Sequence, residues 1–214
     1  MPHEIRAAGP SRSFPAGDPF HETATPGADV LVLLRGTPLP EDEARRAILV
    51  ELDTECLGEH TGEAMGEEGG NVVGFARYRN GDDPPSPLVE LVRQPNTSQG
   101  ALAAARAVFE EAGLTVVVCS DQAGRIVDRL VRPKYNAALR FLDEGLATAK
   151  DMDLTCRLGL GYPDGPLERV ERGGLARHHR ITKDLFEVYG TAAYAPARRA
   201  VVAAQRGAGK EEEG

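Results

Sequence analysis

The apolar pattern of this chain changes period once, and that change dictates what it can fold into. Up to Cys119 the hydrophobic residues come in short blocks: Ala28–Leu34, Ala47–Asp53, Asn71–Tyr78, Leu88–Val92 and Leu114–Cys119. Each block has strand length, and near-continuous apolar runs suit strands buried on both faces. From Gly124 onward the apolar residues Ile126, Leu130, Val131, Ala138, Leu139 and Leu142 recur at helical spacing. One layer type cannot serve both patterns, so the chain reads as an α/β half followed by an all-α half, split near residues 120–124. Within the first half one helix stands out, Gln99–Ala112, capped by Thr97 or Ser98 and ended by Gly113. Strands alternating with short crossovers imply a mostly parallel sheet.

The punctuation between these blocks sets the expected boundaries. Residues 1–27 are rich in Pro, Gly, Ser and Ala and have no apolar period, which predicts a flexible, extended or disordered arm. Glu41–Arg46 is expected to form a helical turn, and Glu59–Gly70 and Asn80–Pro87 to form loops. In the second half Pro133 predicts a kink or break, and Gly145 ends the segment. Thr148-Ala-Lys-Asp151 has the form of a capping box. Gly159–Pro166 reads as a loop, Leu167–Gly174 and His178–Tyr189 as helices, and Arg206–Gly214 as a disordered tail. The expected organisation is an arm (1–27), an α/β domain (28–122), a helical domain (123–205) and a tail (206–214).

Charge and cysteine usage exclude several function classes. The 214 residues carry a net charge of -8, and such a surface repels nucleic acid and anionic lipid, so neither is expected as a partner. The apolar blocks fall far below the ~20 residues of a membrane helix, and no secretory h-region is visible at the N-terminus. Cys56, Cys119 and Cys156 are scattered singly, which argues against disulfides and zinc and fits reduced residues of a cytoplasmic protein. Of the five histidines, His178 and His179 are adjacent, and neither has a third ligand at useful spacing.

Several segments resemble the 3-hydroxyacyl-CoA dehydrogenase family. Pro87-Leu-Val-Glu-Leu-Val-Arg-Gln-Pro-Asn-Thr-Ser98 is similar to the family's "LVEVVRGPxTS". Asp121–Leu130 is similar to "DxPGFIVNRL", Pro133–Ala138 to "PYLNEA", Asp143-Glu-Gly145 to "EEG", and Asp151-Met-Asp153 to "EDID". Leu158–Leu167 is similar to "LGxGYPMGPLE". The resemblance covers roughly residues 70–200. It implies a truncated, mostly parallel, Rossmann-like sheet followed by a helical domain like the C-terminal domain of 6-phosphogluconate dehydrogenase. The first βαβ unit, with its glycine loop, has no counterpart here. The chain thus also resembles the second module of long, two-module members of the phenylacetate-degradation type.

The resemblance also assigns positions in the chemistry. The family moves a hydride between the 3-carbon of an acyl-CoA and NAD, using a histidine base oriented by a glutamate. Glu90 takes the glutamate position. The histidine, from a strand reading "GLHFFNP", falls on Ala76 if the following loop carries a two-residue insertion, and on Tyr78 without a gap. Tyr78 is a possible partner of Glu90, although a phenol of pKa ~10 is no neutral-pH base. The family's asparagine in "VNRL" aligns with Asp128, which replaces a donor by an acceptor. The serine of its "NTSS" segment falls near Glu55-Cys56.

Plain structural roles compete for the same residues. Glu90 could pair with Arg77 or Arg79, and Asp128 with Arg125 or Arg132. The Gly161–Pro166 match could reflect turn geometry alone. Acidic neighbours argue against Cys56 as a nucleophile.

The expected function is a non-catalytic subunit or an acyl-CoA-binding and dimerisation module. Its partner would be a second copy or a full-length dehydrogenase. No cofactor is expected on this chain alone, with NAD available only through a partner subunit. The alternative is an oxidoreductase completed by a partner, or another acyl-thioester enzyme using Glu90 as base.

Overall fold

The computed structural model describes residues 1–40 and 44–211, the last four of these by backbone only. It divides into two units, Met1–Arg79 with Asp83–Ile126, and Asn80–Asp82 with Val127 onward. The change of unit along the chain therefore comes after Ile126 rather than after residue 122. Of the expected turn Glu41–Arg46, residues 41–43 lie outside the described residues. Among the described residues no helix is long and apolar enough to cross a membrane.

The first unit is a six-stranded sheet in sequential order: β1 (Glu4–Arg6), β2 (Val30–Leu33), β3 (Ala47–Glu51), β4 (Val72–Arg77), β5 (Leu88–Arg93) and β6 (Thr115–Ser120). Every neighbouring pair is parallel except β4 and β5, which run antiparallel. Among the described residues, only β5 and β6 are joined by a full crossover helix, α2 (Gln99–Glu111). The Ser98 hydroxyl caps its start by accepting from the Ala101 N–H, and Gly113 at φ +80° ends it. Alternation puts Val30, Val32, Leu49, Val73, Phe75, Val89 and Leu91 on the face under α2. Leu31, Leu33, Ile48, Val50, Leu52 and Val92 line the other face with Leu57, which precedes the one-turn α1 (Gly58–Thr61).

Residues 1–27 do not form a loose arm. They supply edge strand β1, paired Glu4 to Leu31, and a 3-10 turn at Pro19–Thr23. Phe14 and Phe20 are buried in the core with ring centroids 4.0 Å apart, and both stack on Phe109 of α2. The segment is tied down by a buried acid. Glu51 Oε1 accepts from the Ser11 hydroxyl at 2.9 Å and the Ser13 N–H at 2.8 Å, and Oε2 accepts from the Arg35 N–H at 2.9 Å. Composition predicted disorder because two phenylalanines in a Pro- and Gly-rich stretch show no period. Burial of those two rings outweighs the cost of ordering the stretch.

The second unit is helical: α3 (Val127–Asp143), α4 (Ala149–Leu160), α5 (Pro166–Arg172), α6 (Leu175–Tyr189) and α7 (Arg198–Glu211). The expected tail from Arg206 is thus helical through Glu211, and residues 212–214 lie outside the described residues. Its core gathers Tyr135, Ala138, Leu139, Leu167, Val170 and Ala197. α3 continues through Pro133, which removes the N–H that would bond the Arg129 carbonyl. The Tyr194 hydroxyl donates to that carbonyl at 3.5 Å. α4 starts on Thr148, whose hydroxyl accepts from the Asp151 N–H and donates to the Asp151 carboxylate, and it ends on Gly161 in the left-handed region.

The Gly159–Pro166 segment has a local explanation. Asp153 accepts from the Leu167 and Glu168 N–H groups at 2.8 and 3.0 Å, capping α5 from a neighbouring helix. It lies so close to Gly165 that a Cβ there would overlap it.

Candidate active site

Glu90 sits in the middle of β5, on the sheet face that carries Val92, and is 3% exposed. A carboxylate so deep in a strand needs compensation. Oε1 accepts from the Ile126 N–H at 2.8 Å, and Oε2 lies 3.8 Å from Arg125 Nε. The predicted pairing of Glu90 with an arginine therefore occurs, but the arginine is Arg125 and not Arg77 or Arg79. Arg77 Nη1 pairs instead with Asp18 at 2.8 Å, and Arg79 donates to the Asp83 carbonyl.

The β4–β5 register places Ala76 directly opposite Glu90. Tyr78 lies just past the last residue of β4, where its carbonyl accepts from the Ser86 N–H at 2.8 Å. Of the two positions offered for a base, the cross-strand neighbour of the acid is thus the alanine. Its methyl group can neither accept nor donate a proton.

Arg125 was not itself marked by the sequence as a site residue. It is 5% exposed and follows Gly124 in the left-handed region, at φ +47° and φ +70° respectively. This turn brings the chain back over the sheet after β6, held by a bond from the Gly124 N–H to the Thr54 carbonyl at 2.8 Å. The guanidinium donates through Nη2 to the Asp53 carbonyl and through Nη1 to the Glu55 carbonyl. Its Nε, buried, makes no hydrogen bond among the described residues. The visible signal was an arginine standing at the phenylalanine of "DxPGFIVNRL"; the left-handed turn that aims it was not legible.

Asp128 belongs to the helical unit, in the first turn of α3, where Arg132 Nε meets its Oδ1 at 2.8 Å. Of the two partners foreseen, it takes Arg132. Arg132 also faces His178 Nδ1 at 3.4 Å, and because an arginine cannot accept, that nitrogen carries no proton. The opposite nitrogen of His178 then donates to Asn136 Oδ1 at 2.9 Å. Burial pushes the His178 imidazole down to about 3, with the Arg132 charge adding to the effect. This buried chain of polar groups ties α3 to α6.

Neither Cys56 nor Cys119 is poised as a nucleophile. Burial raises the Cys56 thiol, with Asp121 and Glu59 adding to the shift. Cys119 in β6 is pushed up to about 11 by burial first and by the Glu90 charge second. No cluster of metal-ligating side chains occurs among the described residues.

A dinucleotide rests its pyrophosphate on a glycine turn opening into a helix N-terminus at the carboxyl end of a parallel strand. Among the described residues, the connections after β1 and β2 contain no α-helix, and that after β3 contains only α1. The N–H groups at the start of α1 are already engaged by the chain's own acid. Asp121 accepts from Leu57 at 2.6 Å and from Gly58 at 2.8 Å. Both of these N–H groups are thus held within the chain.

Residues 124–214 match the family model for the 3-hydroxyacyl-CoA dehydrogenase C-terminal domain. A 3-hydroxybutyryl-CoA dehydrogenase of Mycobacterium tuberculosis is 36% identical over 114 residues, covering 53% of this chain and 40% of that protein. The mitochondrial hydroxyacyl-coenzyme A dehydrogenase of Sus scrofa is 40% identical over 88 residues, covering 41% of this chain and 28% of that protein. Both alignments span less than half of the relative's length. The crystal structure of (S)-3-hydroxybutyryl-CoA dehydrogenase from Ralstonia eutropha superposes with a TM-score of 0.70 at 22% identity, covering 84% of this chain and 66% of that one. That likeness speaks for the fold.

Proposed function

We propose, from the match of residues 124–214 to the 3-hydroxyacyl-CoA dehydrogenase C-terminal domain and from the relatives of 36–40% identity, that this chain is a non-catalytic member of that family, acting as a subunit or as an acyl-CoA-binding and dimerisation module. One observation carries the reading. The acid in the family's glutamate position faces Ala76 across the ladder and Arg125 beside it, so no side chain at either place can take a proton near neutral pH. The site keeps the acid of an acid–base pair and lacks the base. The chain's own N–H donors at α1 are committed to Asp121, which supports a module that binds no NAD by itself.

An associating role is supported by the apolar side chains that the helical unit leaves uncovered within itself, among them Leu130, Leu154, Leu158 and Leu160. Sedimentation velocity at micromolar concentration, alone and mixed with a full-length family dehydrogenase, tests this. We expect a dimer or a mixed complex. A chain that stays monomeric in both samples and gives no calorimetric signal with acetoacetyl-CoA contradicts it.

A further inference from the structure

We propose that Arg125 is the fixed counter-ion of Glu90, a permanent cation that compensates the buried acid and withholds it from proton transfer. The inference rests on the non-catalytic reading above and names the residue that enforces it. Glu90 is enclosed in mid-strand, with Ala76 opposite on β4 and Val117 opposite on β6, and neither carries charge. The nearest titratable group on β6 is Cys119, whose thiol stays protonated. The segment that crosses this face brings two consecutive residues to the acid. Ile126 gives its N–H, and Arg125 brings Nε to 3.8 Å of Oε2.

Arg125 is built into this place. Its backbone adopts a left-handed conformation that a non-glycine side chain avoids unless the surroundings enforce it. Its two terminal nitrogens are anchored on the Asp53 and Glu55 carbonyls, which leaves the buried Nε, without a hydrogen bond of its own, as the group turned to the acid. A guanidinium does not deprotonate at any pH a protein meets, so this cation cannot exchange a proton with Glu90 as an imidazole would.

A histidine introduced opposite the acid reports on the pair. Ala76→His is made alone, with Arg125→Gln and with Arg125→Lys, and the imidazole is titrated by NMR. With Arg125 present the ring is expected to titrate at or below its ordinary ~6.5, because its neighbour acid is already compensated. With Arg125→Gln its titration is expected to rise by about one unit or more, as the freed carboxylate stabilises the imidazolium. Arg125→Lys, which keeps a cation, is expected to hold it low, and Arg125→Met serves if the glutamine variant does not fold. An imidazole that titrates at the same pH with and without the cation overturns the proposal. Turnover by the unaltered chain would refute the non-catalytic reading without moving this titration, so the two failures are distinguishable.

Discussion

Ala76 and Glu90 stand directly across the β4–β5 ladder from one another, a methyl group facing a buried carboxylate. An antiparallel ladder places such partners on the same face with their Cβ atoms about 5 Å apart. A side chain with a basic nitrogen at position 76 would meet Glu90. In place of such a nitrogen, the Ile126 N–H and Arg125 approach the carboxylate.

Removing one side of that compensation is expected to be costly. Glu90→Gln strands the Arg125 cation in a buried site, and we expect a loss of about 3 kcal/mol in unfolding free energy. The urea midpoint should fall with an unchanged slope. A midpoint equal to wild type would show that the pair carries no net stability.

The first 27 residues are expected to be indispensable to the sheet. Phe14→Ala removes a ring packed against Phe20, Phe75 and Phe109 and should cost about 3–5 kcal/mol. A chain without residues 1–27 should lose the cooperative unfolding of the sheet unit, read by circular dichroism. Retention of that transition would restore the flexible-arm reading.

Stability is expected to depend on pH through His178. Its imidazole is held at about 3 when folded, against an ordinary ~6.5 when unfolded. The unfolded chain therefore binds the extra proton between those values. The contribution is fully present above pH ~6.5 and is lost as pH falls toward about 3, at up to ~1.4 kcal/mol per pH unit. Denaturation curves across that window should show this slope, and His178→Gln should flatten it.

Gly165→Ala tests the cap of α5. The added methyl would displace Asp153 from the Leu167 and Glu168 N–H groups. We expect a loss of about 2 kcal/mol, since buried donors then go unpaired. Hydrogen exchange at those two amides should rise first. Unchanged exchange would show that Asp153 adjusts without releasing them.

The sequence made the two layers legible because their periods differ: blocks such as Leu88–Val92 cannot be helical stripes, and Ile126 to Leu142 cannot be a strand. It also identified Glu90 through its strand and flanking motif, and foresaw Arg132 as a partner for Asp128 through i,i+4 spacing. Non-local contacts escaped it. β1 is only three residues long and is defined by pairing with Leu31–Leu33, and Phe14 and Phe20 have no period to betray their burial. α7, within a charged and Gly-containing stretch, follows Ala197, which packs into the helical core. Arg125 could not be placed because a left-handed turn at a non-glycine residue sends its side chain back over the sheet.

The most direct measurement is NADH oxidation with acetoacetyl-CoA by the purified chain alone, with the Glu90→Gln variant as its reference. A non-catalytic role predicts the same background rate from both proteins. A rate well above background in the unaltered chain that Glu90→Gln abolishes would contradict it.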